Sequence, residues 1–569
     1  MDRVTKSFVS EFARSFGFDS VTDETVLFEH FVNYSIVEPK SEYRFDIDKV
    51  NIGKEGTIGI DGFAILLNKQ LIESLDELED FLAQHKRPTS EIVFIQSKTS
   101  AKFDSKEIGN FGFAVADFIS ESPKLRWSAV ALDSISLFNA FVSRVSDLKE
   151  NPTCSLYYVC LGNNENDQNV IARIKDIEEN VRSENIFSKV TFDLVDASGI
   201  VDKYKRIGQS LERTFEFPTR VTLPVIQNIK ESYVGVVDAK TIVDLMTDEN
   251  GDLISNIFYD NVRDYQGGNK VNSEIAQTLQ SAARDSFAIL NNGITIIAES
   301  LRTTRDSFTL TNYQIINGCQ TSHVLFDNRN YIDDSVRVTV KLVVSDNEEL
   351  TTNVIRSTNR QTEVTEQDLL AFSKFQKRLE DYYGTFEGNQ KLYYERRSKQ
   401  YNNKPVERKR IIDKTTQIKA IGSLYYDKPD MATRYFGTLF SEFGDQLFKD
   451  NHEMFPYYVA SYAIYRLEDY YKRGLIAKKY NKIKYHIITM IRREIDNSNC
   501  PPFESKKANS YAQKIFETLS SDEKLQAAIS EVLGKIDSLN FDLDNNEISK
   551  SKEFVKQLLI LYHVKRVAE

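Results

Sequence analysis

Two segments near the start of the chain hold side chains that could assemble around a phosphodiester. In TIGIDGFAILLN (57–68) a single carboxylate, Asp61, stands beside Gly62 in an apolar run. In EIVFIQSKTS (91–100) four apolar residues lead into Gln96, Ser97 and Lys98. Side chains alternate along a strand, so Gln96 and Lys98 share one face at the end of a buried strand. An unpaired lysine is costly to bury, so Lys98 must meet an anion or reach an edge. Asp61 could supply that anion, or all three could line a common site. An Asp with a second oxygen ligand, here Gln96, can hold Mg2+ or Mn2+ while the metal keeps waters and grips a phosphate oxygen. Lys98 would then orient the attacking water or offset charge growing on the phosphorane. Glu29, in VLFEHFVNYSIV, is a further candidate carboxylate, with Glu11 as a rival and a solvated helix face as the alternative. A cross-strand ion pair explains Asp61 and Lys98 equally well, and spacing alone does not choose. Comparable triplets at Gln417–Lys419, Glu38–Lys40, Glu407–Lys409 and Glu504–Lys506 lie outside any apolar strand that follows a carboxylate strand.

A second set is rich in amides. It comprises Asn261-Val262-Arg263-Asp264-Tyr265 with Val271-Asn272, Asn291-Asn292-Gly293-Ile294-Thr295, Gln314 to Thr321, Arg356-Ser357-Thr358-Asn359-Arg360-Gln361, and Tyr393-Tyr394-Glu395-Arg396-Arg397. Asn-Gly pairs favour tight turns at positive φ. Side chains such as Asn317, Gln320 and Asn359 can read base edges, cap helices or close turns. With Arg263, Arg356 and Arg360 distributed among them, the set suits a polar pocket for phosphate, a nucleotide or a nucleic-acid backbone. Tyrosines interleaved with Arg396 and Arg397 suit stacking on bases plus phosphate contacts, and an amphipathic element with Tyr393 and Tyr394 in a core is the alternative. Cys319 with His323 four residues on is the remaining nucleophile–base pair, a spacing common by chance.

These residues need elements to position them. Helices are expected over residues 1–37, broken near Gly17–Ser20 and stopped by Pro39. Strands follow at Tyr43–Val50, Thr57–Asn68 and Glu91–Lys98, with an acidic helix at Leu71–Gln84. Helices at Ser105–Ser120, Ala129–Leu148 and Val170–Arg182 alternate with strands at Ser155–Cys160 and Val190–Val195, so the first two hundred residues should form an α/β domain. The proline-flanked stretch Phe217–Leu223 marks a boundary. The expected layout is 1–217, 218–412 as a mixed α/β module, and a helical region from 413 to 569.

With 569 residues, 41% hydrophobic and 28% charged, the composition is that of a multi-domain soluble protein. Its N-terminus reads as an amphipathic helix and not a leader, and no run is long enough to span a bilayer, so a cytoplasmic location is expected. Four cysteines and six scattered histidines exclude a disulfide scaffold and a zinc knuckle. A net charge of -11 argues against nonspecific coating of nucleic acid. Locally the balance reverses: Lys391–Lys419 has ten Lys/Arg against three acids, and Arg466–Arg493 nine against two. The second patch reads first as a helical face covering the C-terminal bundle.

A carboxylate strand, a following (Asp/Glu/Gln)-x-Lys strand and a preceding Glu-bearing helix resemble the PD-(D/E)xK nuclease superfamily, the Gln pointing to its Mrr-like branch. The resemblance implies a restriction-endonuclease-like mixed sheet flanked by helices that cleaves phosphodiesters with Mg2+. The 34 residues between Asp61 and Gln96 are a departure from that pattern. The five amide-rich motifs, in their order, resemble the AIPR (abortive infection phage resistance) family from about Tyr233 to Arg397. That resemblance implies antiphage defence. The resulting expectation is a Mg2+-dependent endonuclease acting on DNA ahead of RNA, whose AIPR module senses a cue or holds substrate. A homodimer and a phage-derived trigger stay open. So do two other readings: a non-catalytic nucleic-acid-binding regulator, and an AIPR module with its own nucleotide-directed activity.

Overall fold

The apolar runs around Asp61 and Lys98 become neighbouring strands, preceded by the helices α1 (Arg3–Phe16) and α2 (Glu24–Val37) and the single turn α3 (Ile47–Val50). β1 (Gly62–Leu67) pairs antiparallel with the two-residue β2 (Gln70–Leu71) and with β3 (Ser90–Lys98). Asn68 and Lys69, both at positive φ, make the two-residue turn between β1 and β2. Helix α4 (Leu75–Gln84) lies in the long connection to β3. Beyond β3, α5 (Ser105–Phe118) and α6 (Ala129–Ser143) cross over to the parallel strand β4 (Thr153–Cys160). Then α7 (Gln168–Ser183) leads to the parallel β5 (Lys189–Val195), followed by α8 (Ala197–Ile207). The sheet order is β2-β1-β3-β4-β5.

This computed structural model describes residues 1–18, 21, 23–53, 59–162, 167–209, 211–247, 251, 253–254, 257–258, 270–345, 374–397, 399–434, 436–543, 545 and 547–563. It divides into two units, one of residues 1–208 with 374–569 and one of residues 209–373.

Alternation along the strands sorts the core of the first unit into two layers. Phe63, Ile65 and Leu67 of β1 join Ile92 and Phe94 of β3 in a cluster with side chains of α4 to α7. Ala64, Leu66, Val93 and Ile95 point the other way, into a cluster with α1, α2, α3 and α8. Two expected elements differ. Tyr43–Val50 is a loop ending in α3, because the Asp46 side chain accepts from the Asp48 backbone N–H and caps a helical turn there. The helix expected from Leu71 begins at Leu75, where Ser74 accepts from the Glu77 N–H, and Leu71 itself lies in β2.

From residue 374 the first unit becomes helical, apart from a short parallel pair, Tyr393–Glu395 against Ile411–Asp413. Its helix Phe455–Lys472 buries Tyr457, Tyr458 and Tyr462. Residues 374–412, read from the sequence with the middle segment, lie in this unit. The second unit is a six-stranded mixed sheet of order β6-β10-β9-β11-β8-β7. Its strands are β6 (Glu212–Glu216), β7 (Thr219–Thr222), β8 (Glu231–Asp238), β9 (Ile294–Thr304), β10 (Ser307–Asn317) and β11 (Arg337–Val344). The helices α9 (Ala239–Met246), α10 (Lys270–Gln280), α11 (Phe287–Leu290) and α12 (Cys319–Asp327) belong to the same unit. Together these are the expected mixed sheets flanked by helices with a helical C-terminal region. Among the described residues, no helix is long and apolar enough to cross a membrane.

Candidate active site

Asp61 immediately precedes β1, and its N–H donates to the Ile95 carbonyl at 2.8 Å, which seats it beside Gln96 on β3. Continuing the alternation of the strands places Asp61, Gln96 and Lys98 together on the sheet face covered by α4 to α7. The Asp61 Oδ2 accepts from Gln96 Nε2 at 2.6 Å, from the Ser97 N–H at 2.7 Å and from Ser97 Oγ at 3.0 Å. Gln96 is 3% exposed, and its Oε1 is buried with no hydrogen-bond partner among the described residues. The Lys98 ammonium pairs with Glu107 of α5 at 3.7 Å and not with Asp61, so the two do not form the cross-strand ion pair that spacing also allowed.

Helix α2 closes the same end of the sheet. Residues His30 to Val37 are all buried and Glu29, just ahead of them, is half-buried, whereas the rival Glu11 is exposed. Burial raises the Glu29 carboxyl to about 8, with Asp61 and Asp23 pushing the same way and Lys98 opposing. Burial likewise lifts Asp61 above its ordinary range, against the two hydrogen bonds from Ser97 and the charge of Lys98. Glu29, Asp61 and Lys98 therefore sit within electrostatic reach of one another. Asn33, one turn beyond Glu29, is fully buried and donates from Nδ2 to the Asp61 carbonyl at 3.2 Å. Sequence reasoning passed over Asn33 and Ser97. The signal for Asn33 was an amide four residues after Glu29, flanked by the apolar Phe31, Val32 and Tyr34.

Two carboxylates and an amide oxygen without a partner are hard oxygen donors of the kind Mg2+ and Mn2+ take. Among the described residues no group of three His, Cys, Asp or Glu side chains comes together to hold a metal ion. Oxygen donors of this kind suit a cation that keeps several of its waters, where a closed zinc-type cage calls for His or Cys.

The amide-rich segments converge in part. Asn317 ends β10 opposite Thr295 of β9, and the turns at Gly293 and Gly318, both at positive φ, pack on each other. A Cβ on Gly318 would come 2.7 Å from the Gly293 carbonyl, so these turns require glycine. Asn291, Asn292, Asn317 and Gln320 therefore share one end of the second sheet. Asn291 Nδ2 donates to the Phe287 carbonyl at 3.0 Å, Asn292 is exposed, and Gln320 is half-buried in the first turn of α12. Arg263, Arg356, Asn359 and Arg360 lie outside the described residues. His323 stacks on Phe258, while the Cys319 thiol donates to the Ile315 carbonyl.

Each basic patch has internal members, while Lys404 of the first and Arg473, Lys478, Lys479 and Lys482 of the second are exposed. Arg396 is 4% exposed and bonds Glu380 at 3.0 Å, so it is a structural ion pair and not a surface phosphate contact. Half-buried Arg397 donates its N–H to Gln400 Oε1 at 3.2 Å. Arg492 and Arg493 are buried, and both pair with Asp427.

No curated protein and no solved structure matches the chain. A family model described as AIPR protein matches residues 258–544. The match takes in the paired glycine turns and the Tyr393–Arg397 segment and runs on through the helical region, leaving Asp61, Gln96 and Lys98 outside it. Since it covers half of the residues, the chain belongs to the AIPR family.

Proposed function

We propose that residues 1–208 carry a divalent-metal-dependent phosphodiester hydrolase site of the PD-(D/E)xK class, acting on DNA, in a protein of abortive-infection antiphage defence. The defence role follows from AIPR membership. The observation that carries the hydrolase reading is the Asp61 carboxylate, fixed by Gln96 and Ser97 at the end of two adjacent strands with Glu29 and Lys98 in electrostatic range. Asp61 and Gln96 would hold Mg2+ or Mn2+, with Glu29 binding the metal or its water. Such an ion, when bound, polarises a phosphate oxygen and acidifies water.

The residues of the chain divide the remaining work. Gln96 and Ser97 aim one oxygen of Asp61, which fixes where its carboxylate points. Lys98, more than a third exposed at the rim, sets a positive charge where negative charge grows on the transferring phosphoryl group. Glu29 holds a proton near neutral pH and can release it when positive charge arrives. In this scheme the AIPR region senses the cue or holds substrate. Incubating purified protein with plasmid DNA and with total RNA, in Mg2+, Mn2+ or chelator, tests the reading. Metal-dependent cleavage of DNA is expected, and intact nucleic acid under every condition contradicts it.

A further inference from the structure

We propose that Asn33 is a positioning residue that clamps the Asp61–Gly62 backbone, so that the Asp61 carboxylate stays turned toward Gln96 and Ser97. The consequence for catalysis rests on the hydrolase reading above, but the clamp itself does not. Asn33 sits fully buried in α2, on the opposite side of the sheet from Gln96 and Lys98. Its Nδ2 donates to the Asp61 carbonyl, and its Oδ1, which has no hydrogen-bond partner among the described residues, lies against Gly62. A Cβ at position 62 would overlap that Oδ1, which accounts for the glycine beside Asp61.

The same carbonyl accepts from the Ile52 and Gly53 N–H groups at 2.9 and 3.1 Å, and the Asp61 N–H reaches Ile95. The backbone of Asp61 is thus fixed from β3, from residues 52–53 and from α2. Only the α2 contact also carries Glu29, one turn away along the same helix. Asn33 therefore sets the catalytic candidate on the strand against the one on the helix. Retaining a buried polar group whose acceptor goes unmade is the pattern expected where geometry, more than stability, is at stake.

Amide hydrogen exchange reads the clamp without any activity, because the Ser97 N–H is bonded directly to the Asp61 carboxylate. Wild type should be compared with Asn33→Ala and with Asn33→Leu, which keeps the branched outline, at a larger volume, while deleting the donor. The Ser97 amide is expected to exchange about three- to tenfold faster in both, with Val93 and Phe94 in mid-strand unchanged. Gly62→Ala approaches the clamp from the other side. It should accelerate Ser97 alone, and add nothing further in the Asn33→Ala background, where the overlap is gone. Unchanged Ser97 exchange, or equal acceleration along the whole of β3, overturns the clamp. With Mn2+-dependent cleavage measurable in wild type, the Asn33 variants should lose kcat about tenfold with KM held within twofold. A raised KM at full kcat overturns the positioning role. Absence of cleavage in wild type overturns the hydrolase reading instead, and Ser97 exchange still decides the clamp.

Discussion

Gln96 donates its Nε2 to the Asp61 Oδ2 at 2.6 Å, and in doing so leaves its own Oε1 buried and without a hydrogen bond from any described residue. An amide here holds one negative charge in place without adding a second. Gln96→Glu exchanges the donor for a carboxylate at a position 3% exposed, so two acids then compete for one proton. Without metal the variant should lose about 2–4 kcal/mol at pH 8 and less at pH 5, where the protonated Glu again donates to Asp61. Added Mn2+ should raise its melting temperature more than it raises that of wild type. Melting curves at both pH values, with and without Mn2+, check this, and equal Mn2+ shifts would count against Gln96 as a ligand position.

Glu29 gives the site a pH signature. Its folded carboxyl is raised to about 8 from an ordinary value of 4.5. Between those values the folded state holds a proton that the unfolded state has released, so stability falls as pH rises through that window and levels off above it. Glu29→Gln removes the titration. The variant should match wild type near pH 4.5 and exceed it by about 1–2 kcal/mol near pH 8.5, a figure discounted for the part of the side chain that reaches water. Urea unfolding across that range gives the difference, and parallel pH profiles would contradict it.

Much of this end of the molecule was legible in the sequence. The apolar runs that follow Asp61 and precede Gln96-Ser97-Lys98 read as strands, and alternation puts Gln96 and Lys98 on one face, while the register that adds Asp61 to them came only with the structure. Tyr43–Val50 misled because its apolar spacing resembles a strand, while Asp46, acting on the backbone two residues on, turns it into a helical cap. The first basic patch misled more deeply. Charge along a sequence carries no depth, and the acids that neutralise Arg396 and Arg492, Glu380 and Asp427, lie 16 and 65 residues away. Glu395 is similar. Its partner Arg44, at 2.6 and 2.7 Å, is 351 residues distant in the chain.

That pair bears directly on the Tyr393–Arg397 segment. Glu395 is 2% exposed and its side chain receives two hydrogen bonds from Arg44. Glu395→Gln should cost roughly 3–5 kcal/mol by leaving a buried guanidinium without its counter-charge, and Arg44→Met with Glu395→Leu should cost less than either single change. Arg396→Ala should likewise destabilise, by about 1–3 kcal/mol, by removing the charge partner of Glu380, which keeps its hydrogen bond from Gln400. Chemical denaturation measures each change. If Arg396→Ala instead left stability untouched and lowered the salt dependence of DNA binding, the segment would be a phosphate contact after all.

His486 predicts an acid limit. It is fully buried in the helix Lys484–Ile495, neither ring nitrogen has a hydrogen-bond partner among the described residues, and burial lowers its pKa to about 3. Below its ordinary value of 6.5 the unfolded chain takes up a proton that the folded one refuses, so stability declines as pH falls from there toward 3. His486→Leu should recover roughly 3 kcal/mol at pH 4 and shift acid unfolding to lower pH. An unaltered acid transition would show that His486 finds a proton-accepting partner in solution.

The most direct test of the hydrolase site is cleavage of plasmid DNA in Mn2+ by wild type, Asp61→Asn and Lys98→Ala, each with its melting temperature measured. Asp61→Asn removes a buried charge at nearly constant volume, so its stability should change by less than about 1 kcal/mol. Cleavage by it should fall at least a hundredfold, together with Mn2+ affinity. Lys98→Ala should lose cleavage to a similar degree while still binding Mn2+, since lysine is not a ligand. Full cleavage by both variants, at wild-type rate and with the same metal dependence, would contradict the assignment of Asp61 and Lys98.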